Sequence, residues 1–167
     1  MLRYMIYSVW LNARFGMGYI GPPLFIKGYR KICIGQDFRL FPGARLEVLG
    51  DGQLIVGDFF RGGHNFFATC SDENISIGDY CIVSANVFVG TQKNDFSKSV
   101  NDKMWFKDNV SEHSVFIGDR CFLGYGAVIL PGTVLGDGCV VGANAVVSGE
   151  YKAGSVIATP KATEISG

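Results

Sequence analysis

Residues 117–147 read IGDRCFLGYGAVILPGTVLGDGCVVGANAVV, and an aliphatic side chain recurs there at every sixth position. The members of this series are Ile117, Leu123, Ile129, Leu135, Val141 and Val147. A period of six fits neither the 3.6-residue repeat of an amphipathic helix nor the alternation of a two-sided strand. It predicts a parallel β-helix, in which three hexads form one triangular coil of about 18 residues and successive coils stack.

The other hexad positions agree with this all-β fold. Glycine follows four of the aliphatic residues, and we expect it to supply backbone freedom at the bends. The fifth hexad position is small or β-branched, as expected for a side chain that turns inward near a corner: Cys121, Ala127, Thr133, Cys139 and Ala145. The same register extends backwards, less regularly, through Ile77, Val83, Val89, Ile34, Leu40 and Leu46. Coils are therefore expected from about residue 24, within a domain spanning 21–167.

One long insertion interrupts the hexads. Val89 and Ile117 are separated by 28 residues, which is one hexad plus an insertion of 22. The insertion predicts an external loop at about residues 91–112, and long loops on rigid scaffolds are usually functional. It contains Trp105, Phe106 and the lysines Lys93, Lys98, Lys103 and Lys107. This mixture suits sugar stacking or cofactor phosphates, or else an arm that holds a neighbouring subunit.

Residues 1–20 are predicted to form a helix and a connection. Apolar residues recur at helical spacing: Leu2, Met5, Ile6, Val9, Trp10 and Ala13. This apolar run is too short to span a bilayer. Arg14 interrupts it, so it also does not fit the pattern of a signal peptide. The helix is expected to pack on the first coil or on a neighbouring subunit. The alternative is an in-plane helix making peripheral membrane contact through residues 1–14.

Composition narrows the class and the compartment. The 167 residues fit one domain, and 15 basic against 15 acidic side chains leave no basic excess for nucleic acid. The five cysteines form no C-x-x-C pair, and three of them occupy the small fifth hexad position. They indicate reduced thiols and therefore a cytoplasmic protein. The protein would lie either in the bulk cytoplasm or at the inner face of the membrane. No metal site is expected.

The stretch 117–147 resembles the hexapeptide-repeat acetyltransferases, most of all the galactoside and maltose type and relatives that O-acetylate surface polysaccharides. The resemblance covers roughly residues 24–162 and includes the position of the external loop. It implies a left-handed helix, a homotrimer with active sites between subunits, and acetyl-CoA as co-substrate. It also implies direct transfer in which a histidine takes the proton of the acceptor hydroxyl and backbone N–H groups stabilise the oxyanion.

The resemblance also suggests catalytic residues. The family's catalytic histidine opens the external loop, where this chain carries Asn94. His64 stands where galactoside-type enzymes have an active-site asparagine, so we hypothesise that the two residue types have exchanged places and that His64 is the general base. Asp72 falls where similar enzymes carry an aspartate on the same coil. His113, which closes the loop, is a second candidate base.

Five positions are candidates for binding acetyl-CoA by the same resemblance. Ala143 matches a position whose backbone meets the pantetheine arm, and Tyr125 and Gly126 occupy the equivalent place one coil earlier. Ser148 follows on the coil of Ala143. Lys161 lies in a tail resembling the family's ending and could meet the cofactor phosphates.

Two functions follow from these expectations. The first is an acetyl-CoA-dependent O-acetyltransferase acting on a sugar or surface-polysaccharide precursor. The alternative is a catalytically silent trimer that binds a ligand or scaffolds a pathway, which the asparagine at position 94 favours. The γ-type carbonic anhydrases share the predicted fold, but their zinc site uses three histidines per chain. This chain has two histidines, so a carbonic anhydrase is not expected.

Overall fold

The computed structural model describes residues 18–94 and 110–160, and it forms a left-handed parallel β-helix as predicted. Each coil contributes one strand to each of three parallel sheets. The first sheet contains β1 (Tyr19–Ile20), β4 (Arg39–Leu40), β7 (Arg61–Gly62), β10 (Ile82–Val83), β15 (Phe122–Leu123), β18 (Val140–Val141) and β21 (Val156–Ile157). The second contains β2 (Phe25–Lys27), β5 (Arg45–Val48), β8 (Phe67–Cys70), β11 (Phe88–Gly90), β16 (Val128–Ile129) and β19 (Val146–Val147). The third contains β3 (Ile32–Ile34), β6 (Leu54–Val56), β9 (Ile75–Ile77), β14 (Val115–Ile117), β17 (Val134–Leu135) and β20 (Glu150–Tyr151).

The bends between sheets form three corners that run the length of the helix. The first corner joins the first sheet to the second and is represented by residues 63–66 in the third coil. The second corner joins the second sheet to the third, at residues 71–74, and the third corner returns to the first sheet, at residues 78–81. Since the sheets are in register, residues at one corner on successive coils stack above one another, about 4.8 Å apart.

The core follows the hexad register. The whole aliphatic series from Ile117 to Val147 is buried, and so are the five residues of the fifth-position series from Cys121 to Ala145. Thr133, the hydroxyl-bearing member of that series, donates a hydrogen bond from Oγ1 to the Leu130 carbonyl at 2.6 Å. The predicted interior is thus confirmed, and each coil buries its apolar side against its neighbours.

The glycines after the aliphatic residues serve a different purpose from the one predicted. At Gly118 the backbone φ is not positive, and an added Cβ would lie 2.5 Å from the Asp137 carboxylate of the next coil. That carboxylate accepts a hydrogen bond from the Asp119 N–H at 3.0 Å. The left-handed conformation falls two residues later, at Arg120 (φ 54°). Close contact between coils therefore excludes a side chain at Gly118, and the turn itself does not require glycine.

The external loop leaves the second corner of the fourth coil, as the insertion in the hexads predicted. Its ends form an antiparallel pair, β12 (Gln92–Asn94) with β13 (Val110–Glu112). Trp105, Phe106 and the lysines at 98, 103 and 107 lie outside the described residues. The predicted N-terminal helix also lies outside them, as does Lys161.

The β-helix starts earlier than the hexads indicate. β1 begins at Tyr19 and pairs with β4, so the first coil reaches into the predicted connection at 1–20. A single 3₁₀ turn, Tyr29–Lys31, is the one helical element of the described chain. Within residues 18–94 and 110–160, no helix has the length and apolarity needed to cross a membrane.

Truncation of the core should be strongly destabilising. We expect Leu135→Ala to lower the free energy of unfolding by about 2–5 kcal/mol, because it removes a completely buried side chain that the stacked coils cannot replace by collapsing. Val146→Ala is the matched control, since Val146 points outward and is 64% exposed. It should change the free energy by about 0.5 kcal/mol or less in urea unfolding at the same protein concentration. Equal effects of both variants would contradict the assigned register.

Candidate active site

The first corner gathers His64, Tyr125, Gly126 and Ala143. His64 lies on the third coil, Tyr125 and Gly126 on the fifth, and Ala143 on the sixth, as the register of the first sheet requires. Three coil steps separate His64 from Ala143, which is about 14 Å along the helix axis. Four of the candidate residues therefore form one line on one edge of the molecule.

Hydrogen bonds between asparagines hold this corner rigid. Asn65 Nδ2 donates to Asn86 Oδ1 at 2.9 Å, and Asn86 Nδ2 donates to Tyr125 Oη at 2.7 Å. Asn65 and Asn86 both adopt the left-handed conformation, with φ of 55° and 59°. Asparagine is among the residues that tolerate this conformation best. The chain of contacts directs the Tyr125 hydroxyl towards the fourth coil, which lies between Tyr125 and the coil of His64.

His64 presents an accessible imidazole. Its ring is exposed and packs against Phe41 in a tilted arrangement, with centroids 5.2 Å apart, and Phe41 in turn packs on Tyr19 at 5.7 Å. The His64 carbonyl accepts a hydrogen bond from the Asn86 N–H at 2.8 Å. Its ring nitrogens make no hydrogen bond to any residue in 18–94 or 110–160, so they are available to a ligand.

The second corner gathers Asp72, Asn94, His113 and Ser148. Asn94 ends β12, opposite Val110, and its side chain lies outside the described part. His113 follows β13 directly; its ring is exposed, and its N–H donates to the Thr91 carbonyl at 3.0 Å. Ser148 is exposed, and its carbonyl accepts a hydrogen bond from Tyr151 Oη at 3.1 Å. The base of the loop thus carries an imidazole of its own.

Asp72 is engaged in holding coils together. Its Oδ1 accepts a hydrogen bond from the Asp51 N–H at 2.9 Å, and its own N–H donates to Glu112 Oε2 at 2.8 Å. The other oxygen of Glu112 accepts a hydrogen bond from Gln92 Nε2 at 2.9 Å. Glu112 therefore ties both ends of the external loop to the third coil. Glu112 was not predicted as a site residue from the sequence, because its partner Asp72 is 40 residues away and no local pattern joins them.

The candidate residues therefore divide between two corners. His64 and Asn94 do not face each other within one chain, because a strand of the second sheet separates their corners. In the third coil that strand is Phe67–Cys70, about 13 Å long. Likewise, Ser148 does not share the corner of Tyr125 and Ala143. A site that uses both corners needs two copies of the chain.

The aromatic column of Tyr19, Phe41 and His64 was also missed from sequence. Its members are 22 and 23 residues apart and do not occupy equivalent coil positions, since Tyr19 pairs with Arg39, 20 residues on. In the structure, Leu40 pairs with Gly62, also 22 residues on. Because the early coils differ in length, no fixed period relates the three rings, and the column becomes visible only when the coils are stacked.

The buried cysteines are unsuited to nucleophilic chemistry. All five cysteines are free thiols, and Cys81, Cys121 and Cys139 point inward as predicted. Burial raises the pKa of the Cys70 thiol to about 11, which keeps it protonated. The closeness of the two thiols raises the pKa of Cys81 and lowers that of Cys121, but both residues are 1% exposed, and their thiols donate to the carbonyls of Gly118 and Gly136. No substrate can reach them there. The described residues also contain no cluster of three or more metal-binding side chains.

Comparison with known proteins gives one family match and one sequence relative. The family described as "Hexapeptide repeat of succinyl-transferase" matches residues 68–91 and 114–148. The putative lipopolysaccharide biosynthesis O-acetyl transferase WbbJ of Escherichia coli K12 is 32% identical over 142 residues. That alignment covers 81% of this chain and 71% of the relative.

Solved structures share the fold at lower sequence identity. AntD, an N-acyltransferase from Bacillus cereus in complex with dTDP and 3-hydroxybutyryl-CoA, superposes with a TM-score of 0.75 and 18% identity. The match covers 94% of this chain and 83% of AntD. A galactoside acetyltransferase in complex with coenzyme A gives a TM-score of 0.60 and 20% identity, over 94% of this chain and 65% of that one. Both matches cover 94% of this chain, so the shared fold includes the first and the second corner.

Proposed function

The chain belongs to the hexapeptide-repeat acyltransferases, and from that premise we propose that it transfers an acetyl group from acetyl-CoA to a hydroxyl of a sugar or surface-polysaccharide precursor. The observation that carries the proposal is the 32% identity, over 71% of its length, to a relative named as a lipopolysaccharide O-acetyl transferase. The geometry of the first corner agrees, because a free imidazole stands in line with Tyr125 and Ala143. A cytoplasmic location fits a reaction that consumes acetyl-CoA.

The first corner suits an extended thioester ligand. Ala143 is exposed and has a small side chain, and Gly126 has none. Small residues let the pantetheine arm approach the backbone closely. An arm that runs from Ala143 past Tyr125 would cover about 14 Å and end beside His64. The thioester would then lie at the imidazole and the nucleotide end towards the sixth coil.

His64 is the proposed general base. A free ring nitrogen takes the proton of the acceptor hydroxyl while its oxygen bonds to the thioester carbonyl carbon. The C–S bond then breaks, and the imidazolium returns the proton to the leaving thiolate. Such proton transfer contributes about 10²–10⁴ to the rate. Acetyl-CoA supplies the activated acetyl group, so the chain needs only to orient the two substrates and move this proton.

We propose that the complete site forms between copies of a homotrimer. Interfaces in a closed three-fold ring are head-to-tail, so one surface of a subunit meets a different surface of the next. That symmetry can bring the first corner of one copy against the second corner of its neighbour. The outer face of the first sheet offers an apolar surface for such contact, with exposed Ile82, Phe122, Val140 and Val156 on successive coils. His64 of one copy would then face Asp72, Asn94 and His113 of another.

The test is turnover by the purified protein. Release of free CoA thiol should depend on an added acceptor from a panel of sugars, oligosaccharides and nucleotide sugars. The product should gain the mass of one acetyl group. Light scattering on the same sample should give about three times the chain mass of 18.1 kDa. A monomer that neither binds CoA nor releases thiol with any acceptor would refute the proposal.

The silent trimer is the second candidate, and the residue at position 94 favours it. An asparagine cannot accept a proton near neutral pH, so a site that depended on the loop position would have no base. This candidate predicts saturable CoA or sugar binding without thiol release. The first candidate predicts both, so the same sample distinguishes them.

A further inference from the structure

The outer face of the first sheet changes character halfway along the helix. The later coils present Ile82, Phe122 and Val140, whereas the second and third coils present Arg39 and Arg61. These two arginines are direct partners across the parallel pair β4 and β7, with backbones about 4.8 Å apart. Like charges at directly opposite positions repel each other and destabilise a sheet. An anion lying against both guanidinium groups would relieve this repulsion.

No group in the described structure neutralises this pair. Other arginines have partners: Arg45 bonds Glu47 at 2.8 Å, Arg120 lies 3.6 Å from Asp137, and Arg30 covers the Tyr29 ring. Within residues 18–94 and 110–160, the guanidinium groups of Arg39 and Arg61 make no ion pair, hydrogen bond or ring contact, and only their backbone N–H groups are bonded, to the carbonyls of Phe60 and Cys81. Residues 1–17 precede them in the chain and contain no aspartate or glutamate.

Aromatic rings border the same place. Phe41 and His64 lie at the first corner, and Tyr19 lies on the outer face itself, directly paired with Arg39. A cavity of about 460 Å³ is lined by Gly18, Tyr19, Arg39 and Phe41. Apolar ring faces and a guanidinium group therefore open onto one space. This combination of surfaces fits a ligand with a ring at one end and negative charge at the other.

We propose that Arg39 and Arg61 bind the diphosphate of a phosphorylated sugar, and that this sugar is the acetyl acceptor. The planar guanidinium fork matches phosphate oxygens in bidentate geometry, and two forks on adjacent coils can hold two phosphoryl groups. Arg61 is three residues from His64, about 10 Å along the chain, which leaves room for a sugar ring between the phosphates and the base. The assignment as acceptor rests on the proposed acetyl transfer, whereas diphosphate binding does not.

Calorimetry on CoA-saturated protein in phosphate-free buffer tests the site. Saturation with CoA keeps the probes away from the proposed CoA site at Tyr125 and Ala143. Inorganic pyrophosphate probes the shared chemistry, UDP-glucose the nucleotide-linked source, and farnesyl diphosphate the isoprenoid-linked source. The double variant Arg39→Ala/Arg61→Ala should bind pyrophosphate and at least one diphosphate ester about 10- to 100-fold more weakly than the parent. Arg120→Ala removes an exposed arginine from the third corner and should bind like the parent.

The controls separate this inference from the proposed function. The double variant should bind CoA normally and should not unfold at a lower temperature, since it loses a repulsive pair. Unchanged diphosphate binding in the double variant, or no binding by the parent, overturns the inference while leaving acetyl transfer standing. Binding to phosphatidylglycerol vesicles without binding to any diphosphate ester also overturns it, in favour of a membrane surface. If the parent protein binds diphosphates but not CoA, the proposed acetyl transfer is refuted and the diphosphate site stands.

Discussion

The His64→Ala variant is expected to lose about 10²–10⁴ in kcat while its affinity for CoA stays near that of the parent. The imidazole is exposed and free of hydrogen bonds to the described residues, so its proposed work is proton transfer and not support of the fold. CoA contacts are expected further along the corner, at Tyr125 and Ala143. Steady-state release of CoA thiol gives kcat, and calorimetry gives the CoA dissociation constant.

His113→Ala is the matched control for this prediction. Its imidazole is also exposed, but it stands at the second corner, at the base of the external loop. We expect a far smaller loss of kcat from this variant. The opposite ranking, with His113→Ala nearly inactive and His64→Ala turning over at the parental rate, would show that the base is at the loop and that the exchange hypothesis is wrong.

Asn94→His tests the same hypothesis from the other side. If the site joins the first corner of one copy to the second corner of the next, an imidazole at position 94 would lie near the acetyl group. Placed in the His64→Ala background, it should recover part of the lost kcat. No recovery in a folded trimer that binds CoA would indicate that residue 94 lies away from the reacting atoms.

The core of the molecule was predictable because the hexads encode it directly. Side chains such as Leu123 and Leu135 recur at every sixth position and are buried in successive coils, as a period of six predicts. The start of the β-helix was not predictable in this way. Ile20 stands above Leu40 at a spacing of 20, and Leu40 stands above Gly62 at a spacing of 22, so the period drifts in the early coils.

The glycine positions show a limit of reasoning from single coils. The regular succession of aliphatic residue and glycine suggested a bend, yet Gly78 and Gly118 are required because a carboxylate of the next coil lies where their Cβ would be. The same carboxylates cap backbone N–H groups, as Asp119 does for Asp79 at 2.9 Å. Such contacts join residues 18 to 40 positions apart, and they become visible only when the coils are stacked.

For the candidate site, the sequence predicts the corner on which each residue lies but not the partners of its side chain. Counting hexads in threes assigns each residue to a corner, and it would have placed His64 and Asn94 at different corners. Partnerships such as Gln92 with Glu112 depend on where the external loop returns, which no periodicity fixes. Arg39 and Arg61, whose guanidinium groups have no partner among the described residues, carry no motif, and they stand out only because their neighbours on the outer face are known.

The Ala143→Trp variant is expected to lose measurable CoA binding. Ala143 is exposed at the first corner of the sixth coil, and its backbone lies directly against the fifth coil, with its N atom 2.6 Å from the place of a Cβ on Gly124. Its own side chain points to solvent, so an indole can be accommodated without disturbing the core. The added ring would cover the backbone that the pantetheine arm is proposed to contact. Calorimetric titration of CoA into the folded protein measures the loss.

Ala153→Trp is the control that isolates position from bulk. Ala153 is exposed at the third corner, and its N atom lies 2.5 Å from the place of a Cβ on Gly136, so it repeats the environment of Ala143 on another edge of the same helix. This variant should bind CoA like the parent, because only the first corner is expected to carry the ligand. Both variants should keep the parental circular dichroism and mass. Unchanged CoA affinity in Ala143→Trp would move the cofactor away from the first corner, and with it the argument that His64 meets the thioester.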